Sequence, residues 1–129
     1  MIKVYGIKNC DSVKKALNFF KKHNLDYELH DFKTNPVSCD TISSWLNAVE
    51  MKTLFNSRST TYRNFKLKEK NLDEDGQKEW LCKENLLIKR PVVVFKDRLI
   101  VGFKEENYEG VFLWVKKQTA VHPNQKLLR

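Results

Sequence analysis

The sequence has no Cys-x-x-Cys pair and no apolar run near the ~20 residues of a membrane span. It holds only three cysteines, four glycines and three prolines in 129 residues. Each shortage excludes something. The cysteines, Cys10, Cys39 and Cys82, are odd in number, which argues against a disulfide framework. No two of them stand at metal-ligand spacing, and His23, His30 and His122 match none of them, so no metal site is expected. No arm or compact basic block marks direct nucleic-acid binding. The opening residues, MIKVYGIKNC, lack the charged stretch, long apolar run and small-residue cleavage site of a signal peptide. The expectation is a cytoplasmic protein, away from the membrane, that starts on its own first strand.

What is present points to one folded domain. The chain is 41% hydrophobic, enough for a core, and 31% charged. Its 24 basic and 16 acidic side chains give a net charge of +8. Such a surface attracts anions: nucleic acid, acidic proteins, glutathione or oxyanions. The lysines are spread along the whole chain, which also fits a generic basic surface.

The apolar pattern sets the elements. Ile2 to Tyr5 is a β-prone run closed by Gly6. Val13, Ala16, Leu17, Phe19 and Phe20 recur at helical spacing, and Asn24 behind Lys21, Lys22 and His23 is a helix stop. Tyr27 to Phe32 reads as a second strand, which must run parallel to the first through a right-handed crossover. After the breaker around Asn35-Pro36, Ser38 or Asp40 caps a helix over Thr41 to Val49. Residues 56–65 read as a polar stretch, and Asp73 to Lys83 as another helix. Val92 to Phe95 is a buried strand, Lys96-Asp97-Arg98 a tight turn, and Leu99 to Val101 its hairpin partner. A final amphipathic helix runs from Glu105 or Glu106 to Lys117.

That order, β-α-β, helices, then β-β-α, is an α/β thioredoxin-like fold with an all-helical insertion at about residues 36–86. One domain covers 1–117, and 118–129 is a loose tail.

A thioredoxin-like fold puts its reactive sulfur where the first strand feeds the first helix, and Cys10 sits there. Unpaired N–H groups at a helix start favour a thiolate. Lys8, Lys14 and Lys15 add positive charge nearby, while Asp11 opposes them. Val13 stands three residues after Cys10, so no resolving thiol is built into the motif. An external thiol such as glutathione must release a disulfide at Cys10, unless the fold brings Cys39 or Cys82 close. Those two read otherwise as exposed or packing thiols. Arg90-Pro91, just before the VVVF strand, is the place of the fold's cis-proline, which faces the reactive cysteine. Arg90 offers a charged fork for an oxyanion or a glutathione carboxylate.

Four segments together, YGIKNCDSVKKAL (5–17), LFNSRSTTYRNF (54–65), LLIKRPVVVF (86–95) and LIVGFKEENY (99–108), resemble the ArsC/Spx family of thioredoxin-fold proteins. The family holds arsenate reductases, Spx/MgsR transcriptional regulators and YffB-like proteins, and the NCDSVKKAL, NSRSTTYR and GFKEE segments look most like the last. The resemblance implies a monothiol oxidoreductase, a thiol/disulfide or arsenate-type reductase, with Cys10 as nucleophile. It implies no bound cofactor, with glutathione as co-substrate and glutathione or glutaredoxin as partner. The anion-holding residues it implies are Arg58, Arg90 and Pro91, with Lys8 and Arg63 as further candidates; Arg63 reads equally as a surface cation. Where arsenate reductases carry their first anion-binding arginine this chain has Asn56, and after the hairpin it reads VGFKEE. The alternative that the resemblance implies is an Spx-like regulator docking on RNA polymerase without catalysis.

Overall fold

The computed structural model describes residues 1–113. The expected helix beyond residue 113, to Lys117, and the tail 118–129 lie outside the described residues. Strand β1 (Ile2–Gly6) leads into helix α1 (Asp11–Lys22) and strand β2 (Tyr27–Asp31). Four helices follow: α2 (Cys39–Ala48), α3 (Met51–Leu54), α4 (Thr60–Asn64) and α5 (Glu74–Lys83). Short 3-10 turns lie at Leu67–Lys70 and Asn85–Leu87. Strands β3 (Val92–Phe95) and β4 (Arg98–Val101) and helix α6 (Glu105–Tyr108) complete the order, and a π-helical turn continues α6 over Glu109–Leu113.

The sheet has four strands in the order β2-β1-β3-β4. β1 and β2 are parallel, with Val4 opposite Leu29, while β3 runs antiparallel to both β1 and β4. The side-chain period of a strand sorts residues to two faces. Ile2, Val4 and Val93 meet Ala16, Phe19 and Phe20 of α1 and Tyr108 and Phe112 behind β4. Val92, with Tyr5 and Val94 beside it, meets Ile42 and Trp45 of α2, Leu54 of α3 and Leu81 of α5. The architecture is therefore three layers, with α1 and α6 on one face and the helical insertion on the other. This is the thioredoxin-like α/β fold read from the sequence.

The α1 face is dense in aromatic rings. Phe20 lies 5.0 Å from Phe112 and 5.6 Å from Tyr108, centroid to centroid. The Tyr108 hydroxyl donates to the Gly102 carbonyl at 2.8 Å, and burial pushes its phenol well above the usual range. Gly102 makes this turn with φ +86°, where an L side chain is strained. Asn24 closes α1 in the left-handed region (φ 55°), as the Leu25 N–H donates back to the Phe20 carbonyl.

Local boundaries shift for identifiable reasons. The second helix starts at Cys39, because the Ser38 hydroxyl accepts from the Thr41 N–H. The stretch 56–65 is not all loop: the Ser59 hydroxyl accepts from the Tyr62 N–H and starts α4. Arg98 pairs with Phe95 and opens β4 rather than ending the turn.

Two readings of the cysteines need correction. Cys39 and Cys82 are not separate exposed or packing thiols but a disulfide to each other, and neither is a free thiol for Cys10. α2 packs beside α5 and brings their Cα atoms to 5.0 Å, within bonding range, across 43 residues of sequence.

Candidate functional site

Cys10 is the one free cysteine and occupies the cap position of α1. The strand-helix junction sets it there. Gly6 ends β1, Lys8 and Asn9 make an exposed turn, and the Lys14 N–H closes the first helical bond on the Cys10 carbonyl at 2.9 Å. The residue is half-buried, packed against the cluster that contains Ile7, Ile88 and Val92. Its side chain caps no N–H of the helix. Side chains cap α2 (Ser38), α4 (Ser59) and α5 (Asp73), whereas α3 and α6 start without one, as α1 does. The start of α1 therefore keeps its orphan N–H donors open, as a site for negative charge requires.

The Arg90–Pro91 peptide bond is cis. Tyr5 of β1 pairs with Val92 of β3, so Arg90-Pro91 enters the sheet at the end where β1 gives way to Cys10. A bridge between Phe55 and Ile88 and bonds from the Asn56 N–H to the Leu87 carbonyl and the Lys89 N–H to the Leu54 carbonyl fix the segment before it. Arg90 Nη1 donates to the Leu86 carbonyl at 3.0 Å. Its Nε is buried with no acceptor, an unused donor in a residue that normally satisfies its buried N–H groups. Arg90 lines an open cavity of about 380 Å³ together with Ser12 of the first turn of α1, Lys89, Gly102 and Lys104.

The other expected cations group elsewhere. Arg58 and Arg63 line a second cavity of about 450 Å³ with Tyr62, Lys66 and Lys68. Arg63 is held there by Nη1 donating to the Arg58 carbonyl at 3.1 Å and Nη2 donating to Thr60 Oγ1. Lys8 is exposed in the turn before Cys10. So the structure puts Arg90 with the first turn of α1, and Arg58 with Arg63. Among the described residues none of these cations forms a salt bridge. Asn56 Oδ1 accepts from the Arg58 N–H at 3.0 Å, and its carbonyl accepts from the Ser59 hydroxyl, so this side chain is spent on its own turn.

The sequence pointed to Cys10 and Arg90. Lys89 adjoins Arg90 in the chain; Lys104 and Ser12 were missed as its neighbours, because only the fold brings the post-hairpin segment back beside α1. Among the described residues no group of three or more His, Cys, Asp or Glu is placed to hold a metal ion, and no helix is long and apolar enough to cross a membrane.

Comparison with known proteins agrees with this fold. The model of the ArsC family matches residues 5–111. A protein of Haemophilus influenzae is 38% identical over 113 residues, covering 87% of this chain and 99% of that protein. The solved structure of a YffB protein superposes with a TM-score of 0.79 at 32% identity, over 85% of this chain and 97% of that one. The global transcriptional regulator Spx of Streptococcus pyogenes is 27% identical over 108 residues, covering 82% of this chain and 81% of the regulator.

Proposed function

Because the chain belongs to the ArsC family, we propose that it is a monothiol oxidoreductase that uses Cys10 as nucleophile and glutathione as co-substrate. One observation carries the reading: Arg90, which keeps a buried Nε–H without acceptor, lines the cavity that also takes in Ser12 of the first turn of the Cys10 helix. An anionic group bound there would meet the Arg90 guanidinium and Ser12 of the first turn of the Cys10 helix, although Cys10 itself does not line this cavity.

The reaction balances as two exchanges. The Cys10 thiolate attacks the glutathione sulfur of a mixed disulfide, forming Cys10–S–SG and releasing the substrate thiolate. A second glutathione thiolate then attacks the bound glutathione sulfur, giving oxidised glutathione and restoring the Cys10 thiolate. Arg90 and the open N–H groups of α1 hold the negative charge. Arsenate would use the same nucleophile with an oxyanion in place of the disulfide. Asn56 stands where the arsenate reductases carry an arginine, and its side chain is already bonded, which favours the disulfide substrate.

The test is turnover of a glutathionylated peptide with reduced glutathione, with parallel assays on arsenate plus glutaredoxin. Disulfide turnover, with glutathione mapped by mass to Cys10, is expected. Arg90→Ala should lower kcat/KM by about 10- to 100-fold, the scale of a charge-assisted bond in the transition state. Turnover that survives Cys10→Ser, or a glutathione adduct confined to other cysteines, would overturn the proposal.

A second reading is a regulator that docks on RNA polymerase. It is favoured by the match to Spx and by the net charge of +8. It requires a polymerase complex that survives Cys10→Ser, and absence of that complex in a pull-down removes it.

A further inference from the structure

We propose that the Cys39–Cys82 disulfide is a second thiol-exchange site, separate from Cys10, opened by a small anionic thiol of the glutathione class. The bond joins the first residue of α2 to the next-to-last residue of α5. It is within reach of solvent: Cys39 is exposed and Cys82 half-buried. Cys82 lines an open cavity of about 260 Å³ between Phe32, Lys33, Pro36, Lys83 and Asn85. A cross-link sealed in the core would have neither an exposed cysteine nor a cavity lined by one. Lys33 and Lys83 favour an anionic thiol there, against the single carboxylate of Glu84 on the same wall.

The two helix ends set the direction of the exchange. Cys39 lies at the N-terminal end of α2, where N–H groups favour a departing thiolate. Cys82 lies at the C-terminal end of α5, among carbonyls that disfavour one. The incoming thiolate therefore enters through the cavity and attacks Cys82 Sγ. The Cys39–Cys82 bond breaks, a mixed disulfide forms on Cys82, and the electron pair leaves on Cys39. A second thiolate attacks the small-molecule sulfur, and Cys82 leaves as thiolate. Two thiols become one disulfide, their two electrons reduce the pair, and their two protons end on Cys39 and Cys82. Oxidised thiol of the same class reverses the sequence.

Opening releases the segment ahead of α2. Besides the disulfide, that segment is tied to Asn85, whose Oδ1 accepts from the Val37 N–H at 2.8 Å while its Nδ2 donates to the Leu81 carbonyl. The buried face of α2, Ile42 and Trp45, remains in the core, so the change is local.

The experiment uses the full chain carrying Cys10→Ser, so that failure of the Cys10 chemistry and failure of this site are read separately. The protein is equilibrated in buffers of varied reduced-to-oxidised glutathione ratio, quenched with acid, alkylated and mapped by mass. Cys39 and Cys82 should open and close together, reversibly, as the ratio changes. In a brief exposure to reduced glutathione, the adduct should sit on Cys82 over Cys39 by at least about tenfold. Lys33→Glu should slow opening by glutathione several-fold and leave opening by neutral 2-mercaptoethanol unchanged. A pair that stays closed at every ratio until denaturant is added, or an adduct mainly on Cys39, overturns the proposal. An unchanged glutathione rate in Lys33→Glu, or an equal slowing with both thiols, overturns the assignment of the cavity as the entry.

Discussion

Helices α1 and α2 each carry a cysteine at the N-terminal end, and the two ends are built differently. At α2 the cap is Ser38, with φ −76° and ψ 163°, and its hydroxyl takes the Thr41 N–H. Cys39 comes one residue later and is bonded to Cys82. At α1 the cysteine is itself the cap, with φ −138° and ψ 124°, and bonds no N–H of the helix. The caps of α4 and α5 share the α2 pattern, with φ −76° and −80°. One end carries a side-chain cap and a disulfide; the other carries neither. A side chain that satisfies the first-turn donors is worth ~1 kcal/mol, and α1 forgoes it. Its own packing compensates, through Val13, Ala16, Phe19 and Phe20.

The strongest test of this contrast is Cys10→Ser. Turnover of a glutathionylated substrate should fall by roughly 10³-fold or more, because a serine hydroxyl cannot exchange with a disulfide. The new hydroxyl is the residue type that caps α2 and α4, yet the Cys10 backbone lies away from their angles. Stability in urea should therefore change by less than about 0.5 kcal/mol. A gain of ~1 kcal/mol would mean that the end of α1 is merely a cap lacking its oxygen, and the contrast with α2 would fail.

Much of the open end was legible in the sequence, and the closed end was not. Apolar spacing from Val13 to Phe20 placed α1, which buries one face, and the VVVF run placed β3, which is covered on both faces. Cys10 followed, since it lies in the polar turn between strand and helix. Arg90-Pro91 followed from its place before VVVF. The Cys39–Cys82 bond was hidden by its 43-residue separation and by a third cysteine that left the pairing undetermined. Helix α4 was hidden because it buries none of its own residues, so no apolar period marks it. The separation of Arg58 and Arg63 from Arg90 into two cavities depends on the path of the insertion, which local pattern does not encode.

The junction behind Cys10 gives the next-largest effect. A Cβ at Gly6 would stand 2.6 Å from Val13 Cγ2, and Val13 is fully buried with a β-branched side chain that has little room to turn. Gly6→Ala must push α1 off the strand, and the cost should be about 1–3 kcal/mol in a urea titration. Because Val13 lies in the first turn of α1, the displacement should also reach Cys10. Glutathione exchange at Cys10 should slow in the folded fraction, while the Cys39–Cys82 pair, on the far face of the sheet, should open as before. Slowing at both sites would show that the two helix ends are mechanically coupled.

Ser38→Ala reverses the comparison at the smallest scale. It removes the hydroxyl that accepts from Thr41 N–H and contacts Thr41 Oγ1 at 3.1 Å, both at an exposed helix end. Loss of about 1 kcal/mol is expected, since water replaces part of what the cap supplied. Turnover at Cys10 should not change, because α2 contributes no residue to the Arg90 cavity. With the cap gone, the disulfide becomes the main tie at the start of α2. The loss on reducing Cys39–Cys82 should then be larger in Ser38→Ala than in the parent chain, read as a non-additive shift in a two-by-two urea series. Strict additivity would mean that the cap and the disulfide stabilise the end of α2 independently, each against the unfolded chain alone.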